Sequence, residues 1–146
     1  MDNFMKLSIK AVSANEAFAR SAVAAFCVDA DPTVDELGDV KTAVSEAVTN
    51  SIVHGYAGRD DGVVEIEVTR SGSTVHIEVK DCGVGIADIA QARTPFYTTK
   101  PDEERSGMGF TVMESFMDAL EVVRNEPHGV IVRMRKQFAA SKKRAE

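Results

Sequence analysis

Glu46 and Asn50 stand four residues apart in the segment Glu46-Ala-Val-Thr-Asn50-Ser-Ile-Val-His-Gly55. On a helix that spacing makes them neighbours on one face. The carboxylate can take a proton from a hydroxyl that attacks a phosphate, and the carboxamide oxygen is a hard neutral ligand for a hydrated Mg²⁺. Alone, such a pair is more often just the solvated face of a helix. Two further segments point the same way. Asp81-Cys82-Gly83-Val84-Gly85 follows the alternating run Thr74–Lys80, so a carboxylate ends a strand and glycines open the next turn. Asp81 could cap that turn, or accept from the exocyclic amine of adenine, where guanine presents a carbonyl. Ser106-Gly107-Met108-Gly109 precedes an apolar periodic run, and glycines opening a helix offer free N–H groups and a positive dipole end to phosphate. The order ExxxN, DxGxG, hydrophilic stretch, GxG predicts a site for Mg²⁺ and ATP.

The elements that must position these groups are legible as periodicities. In a helix from about 33 to 55, Leu37, Val40, Val44, Ala47, Val48 and Ile52 share one apolar face, while Asp39, Glu46, Thr49 and Asn50 lie opposite. A strand near 4–11 and a helix near 14–29 precede it, the latter carrying Ala17, Phe18, Ser21, Ala25 and Val28 at helical spacing. Asp31-Pro32 separates the two helices. Residues 63–70 and 73–81 alternate as a hairpin about Ser71-Gly72. A helix from Gly107 to about Ala119 and strands near 120–124 and 130–138, joined by a turn at 125–129, complete the chain. The economical packing is an α/β two-layer sandwich: a mixed, mainly antiparallel sheet with helices on one face.

Composition bounds the function. The 146 residues suit one domain with a real core. With 23 acidic against 17 basic residues and a net charge of −6, there is no electrostatic footprint for nucleic acid. No apolar run approaches the roughly 20 residues that span a bilayer, and residues 1–11 lack a signal-peptide core. The two cysteines, Cys27 and Cys82, have no paired spacing, which favours a reducing cytoplasm over a disulfide or zinc framework.

On these motifs the chain resembles the GHKL superfamily of nucleotide-binding domains, and more narrowly the bacterial anti-sigma-factor serine kinases of sporulation. The narrower likeness is carried by NEAFAR at 15–20, DPTVDEL at 31–37, SEAVTNSIVHGY at 45–56, RDDG at 59–62, TPFYTTKP at 94–101 and ERSGMGFTVMESFMD at 104–118. It implies a single ATP-binding domain over 1–146 that sequesters a sigma factor and phosphorylates an anti-anti-sigma protein on serine. Glu46 would be the general base. Asn50 would hold Mg²⁺, and Asp81, Gly83 and Gly85 would bind the base. Gly107, Met108, Gly109 and Ser106 would supply donors to the phosphates. Thr98, Thr99, Lys100 and Arg105 would lie on a lid over 94–106, with Arg105 neutralising charge on the transferred group. That lid is expected to order around ATP. Arg20 would bind both protein partners. A homodimer is expected, with Phe4, Leu7, Ile9 and Val12 near an open sheet edge. One departure is Gly129-Val130-Ile131, where these kinases commonly have Gly-Thr-Thr; the loss of one hydroxyl near the base would weaken adenine discrimination by about 1 kcal/mol.

Two other readings compete. A histidine-kinase ATP domain would need a phosphoacceptor hairpin, and His54, His76 and His128 lie in none. A module with purely structural nucleotide would have no use for Glu46 as a base.

Overall fold

Thr33 starts the central helix. Its hydroxyl accepts from Glu36 N at 3.1 Å, while Glu36 accepts from Thr33 N at 2.9 Å, a capping box that satisfies two donors at once. In this computed structural model, which describes residues 1–57, 59, 61–93 and 109–139, the capped helix α2 runs over Val34–Asn50. It then widens into a π turn, Ser51–Gly55, where Tyr56 N reaches Ser51 O at 2.9 Å. The helix expected as far as residue 55 therefore changes its hydrogen-bond register at Asn50, beside the proposed chemistry, where π turns often occur.

The other helices are α1 (Ala14–Cys27), the single turn α3 (Ile89–Ala92), for which the sequence had offered no periodic signal, and α4 (Gly109–Phe116). Strands β1 (Asn3–Lys10), β2 (Val63–Ser71), β3 (Thr74–Asp81), β4 (Ala119–Arg124) and β5 (Val130–Gln137) form one sheet in the order β1-β2-β3-β5-β4. All four pairings are antiparallel, a simpler sheet than the mixed one expected. Ser71 pairs with Thr74, so the hairpin turn is Gly72-Ser73, one residue later than the sequence suggested, with Gly72 at φ +60°. That left-handed conformation suits glycine.

Alternation decides what the sheet buries. Val64, Ile66, Val68, Val75, Ile77, Val79, Val132 and Met134 face inward, and full burial of each such side chain is worth roughly 1.5–3 kcal/mol. They meet Val40, Ala43, Val44, Ala47 and Val48 of α2, which fulfils the apolar stripe read on that helix. The outward face of the sheet is polar, with an ion-pair chain in which Arg133 joins Glu78 at 3.0 Å to Glu121 at 2.9 Å.

The first helix differs from expectation. Its buried residues are Ala19, Val23, Ala24 and Cys27, whereas Ala17, Phe18, Ser21, Ala25 and Val28 all lie on the exposed side, Phe18 and Val28 being 57% and 58% exposed. Small side chains let α1 approach α2 closely; Phe18 between them would hold the helices apart. Asp31 at φ 64° then turns the chain toward α2. Lys136 is buried at the far end of the sheet, donating to Phe116 O at 2.6 Å and facing Asp39 at 3.7 Å, which ties α4 and α2 to β5.

Candidate functional site

Asp81 is the last residue of β3, and its side chain is nearly inaccessible. Its Oδ1 accepts from Gly83 N at 3.0 Å and Val130 N at 3.3 Å, and the Ser51 hydroxyl donates to the same carboxyl. Burial raises the carboxyl above its ordinary range, and these three donors pull it part of the way back. A carboxylate held this way at a strand end can accept one more donor, such as an amine, at its unfilled lone pairs.

The end of the central helix fits against this carboxylate with no room to spare. A Cβ on Gly55 would lie 3.0 Å from Asp81 Oδ2, and one on Gly83 would lie 2.0 Å from Gly55 O. At Gly83 backbone fills the space, so glycine is required there, whereas at Gly55 the close neighbour is the Asp81 carboxylate itself. Val84 N donates to Gly55 O at 2.7 Å, closing the contact. Tyr56 completes it: its hydroxyl accepts from Cys82 N at 2.8 Å and donates to Val63 O. Gly85, at φ +79°, bends the turn away from β3.

Glu46 and Asn50 are half-buried on α2 beside its core stripe, not opposite it as the helical spacing suggested, with Asn50 at the helix's final position before the π turn. The Gly55–Gly83 contact thus joins the helix bearing Glu46 and Asn50 directly to the turn bearing Asp81, Gly83 and Gly85. Gly109 opens α4, which packs on α2. Arg93, after α3, pairs with Glu114 of α4 at 3.1 Å, and Arg124 donates to Ala87 O at 2.8 Å, so the segment after Gly85 is fastened to both neighbours. Thr98, Thr99, Lys100, Arg105, Ser106, Gly107 and Met108, with the lid expectation as a whole, lie outside the described residues. Arg20 lies on α1, paired with Glu16 one turn earlier at 3.6 Å.

Among the described residues no group of three or more His, Cys, Asp or Glu converges on one point. Mg²⁺ at phosphate-transfer sites commonly takes one or two protein oxygens and completes its shell with phosphate and water, and the Asn50 carboxamide oxygen would be such a protein ligand.

Sequence reasoning missed four residues here. Ser51 and Tyr56 adjoin the ExxxN motif and carried a signal in being polar groups at the end of an apolar-faced helix. Asn125 and His128, whose side chains meet Asp81 O at 2.9 Å and Gly83 O at 3.0 Å, carried none, because those contacts join positions 44 and 45 residues apart. The departure at Val130 also acquires a meaning: its side chain is core, and its backbone N–H serves Asp81.

Residues 9–136 match the histidine kinase-like ATPase domain family. An anti-sigma F factor of Clostridium botulinum (strain Eklund 17B / Type B) is 58% identical over 137 residues, covering 94% of this chain and 96% of that protein. One from Bacillus thuringiensis (strain Al Hakam) is 50% identical over 141 residues, 97% of each chain. Among solved structures, the RsbU and RsbW domains of a Mycobacterium tuberculosis protein superpose with a TM-score of 0.66 at 14% identity, covering 92% of this chain and 32% of that one, a likeness of fold. The chain belongs to the anti-sigma F factor family, within the histidine kinase-like ATPase domains.

Proposed function

We propose that this chain is an anti-sigma factor and an ATP-dependent protein serine kinase, which sequesters a sporulation sigma factor and inactivates an anti-anti-sigma protein by phosphorylating it. The observation that supports the reading best is the direct seating of Gly55, at the end of the helix bearing Glu46 and Asn50, on the Asp81–Gly83 turn. One rigid contact then relates a base-reading carboxylate to a proton acceptor and a metal ligand.

In this reading Asp81 accepts from the adenine amine and the Asn50 oxygen contributes to Mg²⁺, which neutralises phosphate charge when bound. Glu46 accepts the proton of a serine hydroxyl as that oxygen bonds to the γ-phosphorus, and the bond to the bridging oxygen breaks to release ADP. By family likeness Arg105 and Lys100 offset charge on the transferred group, and Thr98, Thr99 and the 106–109 amides hold the phosphates. Arg20 belongs to the surface that meets both proteins. The working form is a homodimer in the cytoplasm; among the described residues no helix is long and apolar enough to cross a membrane.

The test is incubation of the pure protein with Mg²⁺-ATP and a candidate anti-anti-sigma protein, followed by mapping of phosphoserine. Stoichiometric phosphoserine on that protein is expected. ATP binding with no transfer to it would reduce the reading to a nucleotide-dependent sequestering protein.

A further inference from the structure

The turn that would read the base is held from outside as well as by its own strand. The link from β4 to β5, residues 125–129, folds back onto it. Asn125 Nδ2 donates to Asp81 O at 2.9 Å and lies 3.6 Å from Cys82 Sγ, while Asn125 N donates to Gly129 O at 3.1 Å and closes the link on itself. His128 Nδ1 lies 3.0 Å from Gly83 O. A carbonyl oxygen only accepts, so Nδ1 must carry the ring proton there. The backbone of Gly129, at φ +117°, passes so near that a Cβ would stand 2.1 Å from Asp81 O.

The destination of these bonds is what matters. Asn125 and His128 both spend their donors on backbone carbonyls of the 81–83 turn, and neither touches the Asp81 carboxylate. With Tyr56 on Cys82 N, each residue of the turn is pinned through its main chain. The main chain that carries the carboxylate is thus held by groups that do not compete for the carboxylate's lone pairs, in addition to the donors that bind it directly, which is how a supporting shell preorganises a binding group. Angular accuracy is what separates adenine from guanine, since the two differ in whether an amine or a carbonyl faces Asp81.

We propose that Asn125 and His128 are positioning residues that set the purine preference of this chain by aiming Asp81; the inference rests on the reading of Asp81 as the adenine acceptor. A tie that merely held the fold together would affect all nucleotides alike. An aiming tie affects the one whose amine Asp81 must meet.

Calorimetric titration of the full chain with Mg²⁺-ATP and Mg²⁺-GTP separates the two. Wild type is expected to prefer ATP. His128→Leu should weaken ATP about tenfold, roughly one hydrogen bond to a buried group, with GTP changed less than about twofold. His128→Asn, which returns an amide donor near the Nδ1 position, should restore most of the preference. Asn125→Ala carries the same test if His128→Leu does not fold. An unchanged ATP-to-GTP ratio in a folded variant, or an equal fall in both affinities, overturns the positioning role and leaves Asp81 as the reader. A wild type without purine preference instead removes the base-reading role and this inference with it.

Discussion

Glu46 and Asn50 occupy the same half-buried face yet are assigned separable duties, and their variants should separate too. Glu46→Gln keeps size and hydrogen bonding but cannot accept the proton. Phosphotransfer should fall by about 10² to 10⁴ with nucleotide affinity nearly unchanged, whereas Asn50→Ala should weaken Mg²⁺-ATP binding itself. Transfer at wild-type rate by the Gln variant would exclude Glu46 as the base. Asp81 makes a second prediction through pH. Burial holds its folded-state carboxyl above the unfolded value, so its contribution to stability is full at acid pH, below about 4, and is lost as pH rises through the folded value. Asp81→Asn cannot ionise and escapes that loss. Urea midpoints at pH 4 and pH 7 should therefore show the difference between variant and wild type moving in the variant's favour as pH rises; a constant difference would mean that burial does not penalise the charge.

At the scale of elements, the site exists because the π turn delivers Gly55 against Gly83. Helical continuation through residue 55 would have rotated that contact away, since each residue turns the chain by about 100°. Gly83→Ala probes the seating: its methyl would meet Gly55 O at 2.0 Å, with only backbone to yield. The expected cost is about 1–3 kcal/mol of folding stability together with weakened ATP binding, read by chemical denaturation and titration on the same sample. Wild-type values for both would show that the turn relaxes freely and that its contact with the helix end does not define the site.

For the whole molecule, the arrangement separates a chemical side from surfaces that remain open. Phe18 on α1 and Val28 just beyond its end are exposed, and Arg20 lies on α1. Arg20→Ala should impair retention of both sigma factor and anti-anti-sigma protein in a pull-down, with ATP affinity unaltered; full retention of both would remove Arg20 from the partner surface. The strand β1 forms one edge of the sheet, and the residues expected near it divide: Leu7 and Ile9 turn toward the core, while Phe4 stays 54% exposed. An unpaired edge with an exposed aromatic favours association. Sedimentation equilibrium at micromolar concentration should give two copies of the 15.8 kDa chain, and a single species of that mass with and without ATP would exclude the homodimer.

The sequence by itself determined what depends on neighbours along the chain. The core stripe of α2, the Glu46/Asn50 pair and the alternation of β2 and β3 follow from local rules with periods of 3.6 or 2, the DxGxG turn follows from its residue types, and their order along the chain was enough to indicate the family. Tertiary structure alone decided matters for which those rules give two equal answers or none. An alanine-rich helix such as α1 offers more than one apolar stripe, and close packing against α2 selects the small one that includes Ala19 and Val23 over the one that includes Phe18. The helix register changes at Asn50 where Gly55 must meet Gly83. The side chains that hold Asp81 and its turn come from two distant segments, Ser51 and Tyr56 at the end of the central helix and Asn125 and His128 in the link from β4 to β5. A hydrogen bond across 44 residues leaves no periodicity to read, because it exists only once the sheet has brought both ends together.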